Sequence, residues 1–356
     1  MNCGILRLSH CATAFFGYME FDLEMVKIDL ITGFLGSGKT TFIKKYVKYW
    51  LDKGQKIGIL ENDYGAVNVD MVLASELMGE NCNIEMVAGG CDYDCHKRRF
   101  KTKLISMGMS GYSRVIVEPS GIYDVDEFFD TLYEEPLDNW YEIGNVIAIV
   151  DAGLRDDLSP ESEYLLASQI ADAGKIVFSK TQNTDAESLN NTVIHLNNCL
   201  EKFSCNRRFF LEEMTDKAEN KVRKSDIIFA KSWDEMTAAD MDMLANCEYR
   251  RSDHVKMPVN DNNSYDSLYY MNTKITRTRD QVLQMIDNIM SDADCGDVYR
   301  IKGFIAQKKN GEELTDFLEI NATREEISIN KVEKGSDIFV VIGEKMDKNK
   351  IDAYIY

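Results

Sequence analysis

The sequence predicts an α/β fold built on a mostly parallel sheet, followed by a smaller α+β domain. Three observations predict it. From Val26 strand-like and helical stretches alternate in a regular way, as strand–helix–strand units demand. The first strand-like run ends in Gly33-Phe34-Leu35-Gly36-Ser37-Gly38-Lys39-Thr40, which fills every fixed position of the phosphate-loop signature G-x-x-x-x-G-K-[ST]. After Tyr265 the pattern changes to short strands around one amphipathic helix.

The strand-like runs of the first part are Lys27–Thr32, Lys56–Leu60, Asn83–Val87, Ser113–Val117, Asn145–Val150 and Lys175–Phe178. Several lack strict alternation, as strands covered on both faces do. Helical stretches fall between them at Lys39–Leu51, roughly 71–79, His96–Met107, Val125–Leu132, Glu161–Ala173 and Ala186–Leu200. This set makes a P-loop domain over 25–210. Residues 211–264 are more polar, contain the loop-like run MPVNDNNS at 257–264, and read as a connecting region. In 265–356 a strand is expected at Leu268–Ile275. A helix at Asp280–Met290 puts Val282, Met285, Ile286 and Ile289 on one face. Further strands are expected at Val298–Gln307, Phe317–Asn321, Glu326–Val332 and Ile338–Ile342, with a last helix after Asp347.

Composition narrows the function. The chain has 356 residues, enough for one large or two ordinary domains, and 44% apolar residues, enough for a sizeable core. No run of eighteen apolar residues occurs, so no membrane span is expected. A net charge of −19 argues against nucleic-acid binding. Nine scattered cysteines in a chain this large suit a reducing, cytoplasmic setting rather than a disulfide framework. Residues 1–24 lack periodicity and the basic start of a signal peptide; they are expected to be a disordered extension, or Met25 to be the natural start.

The phosphate loop has a mechanical logic. Gly33, Gly36 and Gly38 let the backbone curl so that its N–H groups, with those of Ser37 and the helix start at Lys39 to Thr41, face phosphate oxygens. Lys39 reaches the β- and γ-phosphates, and the Thr40 hydroxyl can ligate Mg²⁺. Other segments end strands at the same edge. Glu61-Asn62-Asp63-Tyr64-Gly65 follows the second strand. Glu118-Pro119-Ser120-Gly121 follows the fourth, with a carboxylate placed for Mg²⁺ or its water shell and a glycine that lets backbone approach a γ-phosphate. Ser179-Lys180-Thr181 offers a lysine to lie along a nucleobase. Gly89-Gly90-Cys91-Asp92-Tyr93-Asp94-Cys95-His96 follows the third strand.

In this order these segments resemble the CobW-type GTPase and metallochaperone family, relatives of the metal-delivery GTPases that serve urease and hydrogenase. The resemblance includes GFLGSGKTT, END-YG, the GGC turn, E-P-S-G, V-I-A-I-V-D-A and the S-K-T loop. It continues into Tyr299-Arg300-Ile301-Lys302-Gly303-Phe304 and Val341-Ile342-Gly343, similar to signatures of the family's C-terminal domain. It implies a Mg²⁺-dependent GTPase acting in metal delivery or metallocofactor insertion, with a client metalloprotein as partner. Lys39, Asp63 and Glu118 are the implied catalytic positions. Thr40, Glu61, Asp63 and Glu118 are the implied positions around Mg²⁺. Gly33, Gly36, Ser37, Gly38, Thr41, Gly121, Lys180 and Thr181 complete the nucleotide site.

Two departures stand out. The family's C-x-C-C metal motif is matched only by Cys91, with Tyr93 and Asp94 next and Cys95 one place further on. Cys91 and Cys95 with a carboxylate (Glu61, Asp92 or Asp94), with or without His96, form a set suited to Zn²⁺ or Co²⁺; the competing reading is a loop with idle or redox-active thiols. The base-reading [NTS]-K-x-D has Gln182 in place of aspartate, with Asp185 three residues on, so guanine preference should weaken and adenine use becomes open. His195 and His254 are lone histidines and read as structural. The rival function is a nucleotide-switched scaffold or reactivating module for a metallo- or corrinoid enzyme, with little turnover. A small-molecule kinase would need an Arg-rich lid segment that the sequence does not offer.

Overall fold

The computed structural model describes residues 25–63, 77–88, 93–211, 214–216, 221–223, 227–256, 265–307, 316–324, 326–332 and 335–356. The extension 1–24, most of the helix expected near 71–79, and Cys91 lie outside the described residues.

Fourteen strands are described: β1 Val26–Thr32, β2 Ile57–Asp63, β3 Cys82–Ala88, β4 Arg114–Pro119, β5 Tyr141–Asp151, β6 Lys175–Ser179, β7 Met214–Asp216, β8 Lys221–Arg223, β9 Ile228–Phe229, β10 Tyr265–Met271, β11 Asp297–Ala306, β12 Phe317–Ala322, β13 Ile327–Val332 and β14 Ile338–Glu344. The described helices are α1 Lys39–Asp52, α2 Tyr93–Gly108, α3 Val125–Leu132, α4 Pro160–Ala171, α5 Ala186–Lys202, α6 Ala238–Leu244, α7 Arg279–Ser291 and α8 Lys348–Ile355.

Seven strands form one sheet in the order β3-β2-β4-β1-β5-β6-β9, and every pairing in it is parallel. Both faces are covered, which is why its strands do not alternate. On β4, Val115 and Val117 pack with Phe100, Leu104 and Phe128 on one side, while Ile116 packs with Phe42, Tyr46 and Val47 of α1 on the other. The edge strand β9 is two residues long and pairs Ile228 with Ile176. Met241 and Leu244 of α6 join the core on the α1 side. The region expected to connect the two parts thus contributes both sheet pairing and core packing.

A second, antiparallel sheet runs β10-β14-β11-β12-β13. Helix α7 lays Val282, Met285, Ile286 and Ile289 against it, and α8 adds Ile351 and Ile355. Thr278 caps α7 in a reciprocal pair with Gln281, and Asp347 caps α8 by accepting from the N–H groups of Asn349 and Lys350. The strand expected to run to Ile275 stops at Met271, because Asn272 and Lys274 take left-handed backbone angles (φ 50° and 57°).

The two sheets meet at named contacts. Phe34 and Tyr299 stand edge to face with centroids 5.9 Å apart. Glu344 Oε1 accepts from the hydroxyls of Ser159 (2.7 Å) and Ser162 (2.8 Å). Asp297 pairs with Arg155 at 3.3 Å and Arg324 at 2.9 Å.

Away from the strands' carboxyl ends, the parallel sheet holds a buried charge network. Asp29 is fully buried on β1, with Arg114 Nη1 at 2.6 Å from both carboxylate oxygens. The Tyr46 hydroxyl donates to it at 2.8 Å and the Asn145 N–H at 2.8 Å. The Arg114 guanidinium lies 3.9 Å from the Trp50 ring centroid. Burial, then the Asp29 carboxylate, push the Tyr46 phenol well above its ordinary range.

Candidate functional site

The central strand β1 has β4 on one side and β5 on the other, so the loop after Thr32 opens at the carboxyl-end crevice where strand order switches. That loop, 33–38, joins β1 to α1. Gly33 takes φ 145°, and a side chain there would collide with the Ile149 carbonyl oxygen. Gly38, at φ 95°, occupies the N-cap of α1; no side chain caps that end and no acidic residue stands in its first turn. The uncapped N–H groups are therefore left to an anion. The buried Ser37 hydroxyl has no hydrogen-bond partner. Lys39 is buried and its Nζ donates to the carbonyls of Gly33 (2.8 Å) and Phe34 (3.3 Å). Thr41 is exposed on the first turn of α1.

The Thr40 hydroxyl donates to Glu118 Oε1 at 2.7 Å. Glu118 in turn is the register partner of Glu61 on the neighbouring β2. Paired positions of adjacent parallel strands share a face, so two buried carboxylates stand side by side at the mouth of the phosphate loop. Like charges in that arrangement repel unless a cation or proton joins them. Asp63 ends β2 in the same loop cluster; its side chain lies outside the described residues. Gly121 lies against the phosphate loop itself: a Cβ there would come within 2.7 Å of the Leu35 amide nitrogen. A cradle closed to side chains, an unspent hydroxyl and a threonine beside two carboxylates fit a Mg²⁺–nucleoside triphosphate.

The base side of the crevice carries the segment after β6. Lys180 takes a left-handed conformation (φ 55°), and its Nζ pairs with Asp151 Oδ2 at 2.6 Å and Glu326 Oε2 at 3.8 Å. Thr181 opens a short 3-10 turn with its Oγ1 unpartnered. Gln182 is exposed, and Asp185 accepts from the Ser188 N–H as the N-cap of α5. Sequence reasoning gave no role to Trp233, whose ring lies 3.2 Å from where a Gly38 Cβ would be and whose Nε1 donates to the Phe178 carbonyl. It also missed Thr323, and it named Tyr299 only within a family-like segment, with no contact to the phosphate loop; the two bring the second sheet onto that loop, where the Thr323 methyl fills the space a side chain at Gly36 would take. No local pattern signals these residues, since their meaning comes from tertiary contact.

Of the thiol pair, Cys95 is half-buried on the first turn of α2, in a cleft with Val87, Arg98 and Arg99. Its neighbour His96 is fully buried and holds Asn62 Oδ1 at 2.8 Å through Nε2. One ring nitrogen of His96 is thus committed to the end of β2, which ties the start of α2 to the strand that carries Glu61.

Fold and loop geometry define a P-loop nucleotide-binding protein. Within that class the chain belongs to the CobW/HypB/UreG family, whose nucleotide-binding-domain model matches residues 27–211. It is 29% identical over 185 residues to the zinc chaperone YjiA of Escherichia coli strain K12, covering 49% of this chain and 56% of that protein. It is 29% identical over 165 residues to the zinc chaperone YeiR of the same organism, covering 46% and 49%. The zinc-regulated GTPase metalloprotein activator 1 of Schizosaccharomyces pombe is 24% identical over 190 residues, covering 51% and 45%. The matched part spans about half the length of these relatives. The crystal structure of Zn(II)-bound YjiA GTPase from E. coli aligns with 93% of this chain and 98% of its own, at 17% identity and a TM-score of 0.34. No helix among the described residues is long and apolar enough to cross a membrane.

Proposed function

We propose that the protein is a Mg²⁺-dependent GTPase whose nucleotide state is coupled to binding of a transition metal, Zn²⁺ or Co²⁺, for delivery to a client metalloprotein. The observation that carries the reading is the Thr40–Glu118 hydrogen bond beside Glu61, at the open end of a phosphate loop. The metal-handling half draws on family membership and on relatives named for zinc.

The proposed chemistry is positioning and charge stabilisation. Loop N–H groups from 36 to 40 and the Lys39 ammonium hold the triphosphate, with Lys39 exchanging its carbonyl partners for phosphate oxygens. Thr40, Glu118 and Glu61 would hold Mg²⁺ or its waters, and Asp63 would orient the attacking water. Bound there, the metal would supply charge that neutralises the phosphate oxygens. Gly121 allows its backbone to approach the terminal phosphate. Lys180 and Thr181 would face the base, with Lys180 aligned by Asp151. The cargo metal would bind at Cys91 and Cys95 with a nearby carboxylate. Residues 265–356 form the client-facing part, in contact with the phosphate loop through Tyr299 and Thr323.

Single-turnover hydrolysis of GTP tests this reading. Wild type should cleave bound GTP only with Mg²⁺, and Lys39→Ala should lose nucleotide binding while remaining folded. Tight GTP binding without cleavage would instead make the protein a nucleotide-switched module.

A further inference from the structure

A second metal-binding arrangement lies away from the phosphate loop, between α4 and α5. His195 and Cys199 are one turn apart on α5, and Glu163 projects from the first turn of α4. One ligand atom from each lies within 4.8 Å of the other two, and among the described residues this is the one grouping of its kind. His195 and Cys199 are buried, and Glu163 is half-buried at the rim.

The spacing suits a small tetrahedral cation. Cys199 Sγ lies 3.7 Å from His195 Nε2. A tetrahedral Zn²⁺, with Zn–S of about 2.3 Å and Zn–N of about 2.0–2.1 Å, separates its sulfur and nitrogen by roughly 3.6 Å. Three atoms within 4.8 Å of one another share a central point roughly 2.8 Å from each, so small side-chain shifts reach bonding distance. Two ligands at i and i+4 on one helix, joined by a third from a packed neighbour, form a chelate the fold already holds together. Burial lowers the pKa of the His195 ring, against the opposing negative charges of Glu163 and Asp156.

We propose that Glu163, His195 and Cys199 form a binding site for Zn²⁺ or a cation of like chemistry, with water in the fourth position, which clamps α4 to α5. Binding forms a metal–sulfur bond and releases the Cys199 thiol proton to solvent. Glu163 is ion-paired with Lys202, which the metal must displace. The site shares no residue with the Cys91 and Cys95 loop and does not depend on nucleotide binding.

The test is a Co²⁺ titration of the full chain carrying Cys91→Ser and Cys95→Ser, so that only the inter-helix site can give a tight thiolate signal. The expected result is one equivalent of tetrahedral Co²⁺ with thiolate-to-cobalt charge-transfer absorption, displaced by Zn²⁺, and a higher Tm with metal than without. Cys199→Ser should remove the charge-transfer band. Glu163→Gln, a rim substitution that leaves the core packed, should weaken binding about tenfold or more. Lys202→Met should strengthen it, because the competitor for Glu163 is gone; a purely structural role for the cluster would not give that gain. No charge-transfer absorption, or absorption and affinity indifferent to all three substitutions, would overturn the proposal.

Discussion

The Thr40 hydroxyl donates to Glu118 Oε1 at 2.7 Å, although 78 residues separate them in the chain. Parallel pairing makes this possible. Strands β1 and β4 are neighbours, so the loop after one and the residues ending the other open at the same level. Glu61 joins them because β2 pairs with β4 on its far side. Three strands thus bring a hydroxyl and two carboxylates to the mouth of the phosphate loop.

Glu118→Gln keeps the volume and can still bond Thr40, but removes one of the two charges. We expect Mg²⁺ affinity in the GTP complex to fall by about 10–100-fold, with the fold unchanged. Isothermal titration of Mg²⁺ into the GTP-bound protein measures it. An unchanged Mg²⁺ affinity would exclude Glu118 from that site.

Guanine discrimination should be weaker than an intact N-K-x-D loop gives. Gln182 is exposed and carries no charge, and Asp185 is already bound to the Ser188 N–H as a helix cap. Loss of the charged base contact is worth about 1–3 kcal/mol. Competition between GTP and ATP for the wild-type protein measures it, and a very large GTP preference would show that another residue reads the base.

Arg114→Met should destabilise the protein by about 3–5 kcal/mol, because it leaves the Asp29 carboxylate buried without its cation. The double change Arg114→Met with Asp29→Asn should recover a large part of that loss. Urea unfolding of the two variants gives the comparison; equal losses in both would mean that the missing guanidinium stack on Trp50, not the orphaned charge, sets the cost.

His254 predicts a pH dependence. It is buried 3.3 Å from Asp126, and that carboxylate, against burial, raises the pKa of the ring above its ordinary value. Arg251, Lys256 and Asp172 also belong to this cluster. Burial alone would raise the Asp126 pKa, but its contacts with His254 and Lys256 bring it down to about 2. The His254 contribution is full below the unfolded pKa of about 6.5 and is lost as pH rises through the raised folded value. The Asp126 contribution is full above about pH 4 and is lost as pH falls toward about 2. Stability from this cluster should therefore be greatest between about pH 4 and 6.5. His254→Gln should flatten the decline above pH 6.5 in urea unfolding. A decline of the same size in wild type and variant would assign it to other groups.

The architecture was legible in the sequence wherever a local rule governs. The phosphate loop announces itself through glycines at fixed spacing. The apolar face of α7 follows from helical periodicity. What was not legible depends on tertiary partners. Strand β9 has two residues, too few for any periodicity. Trp233 and α6 fell in a polar stretch whose few apolar residues acquire meaning only against Phe42 and the parallel sheet. The Asp29–Arg114 network joins residues 85 apart, and the His195–Cys199–Glu163 grouping joins two helices, so neither shows in a local reading. The strand expected to reach Ile275 failed because two left-handed residues intervene, a local choice that asparagine tolerates well and lysine does not advertise.

Coupling between metal and nucleotide tests the central claim most directly. Strands β2 and β3 end side by side at the same edge of the sheet, so a metal at Cys91 and Cys95 and a nucleotide at Lys39 would restrict neighbouring segments. The decisive measurement is Zn²⁺ and Co²⁺ affinity of the full chain with and without GTP and Mg²⁺, with Cys199→Ser in the background to silence the inter-helix site. The account predicts that nucleotide raises metal affinity roughly five- to 150-fold, that metal raises GTP affinity by the same factor, and that Cys91→Ser erases the coupling while leaving metal-free GTP binding intact. Equal metal affinities with and without GTP would contradict it.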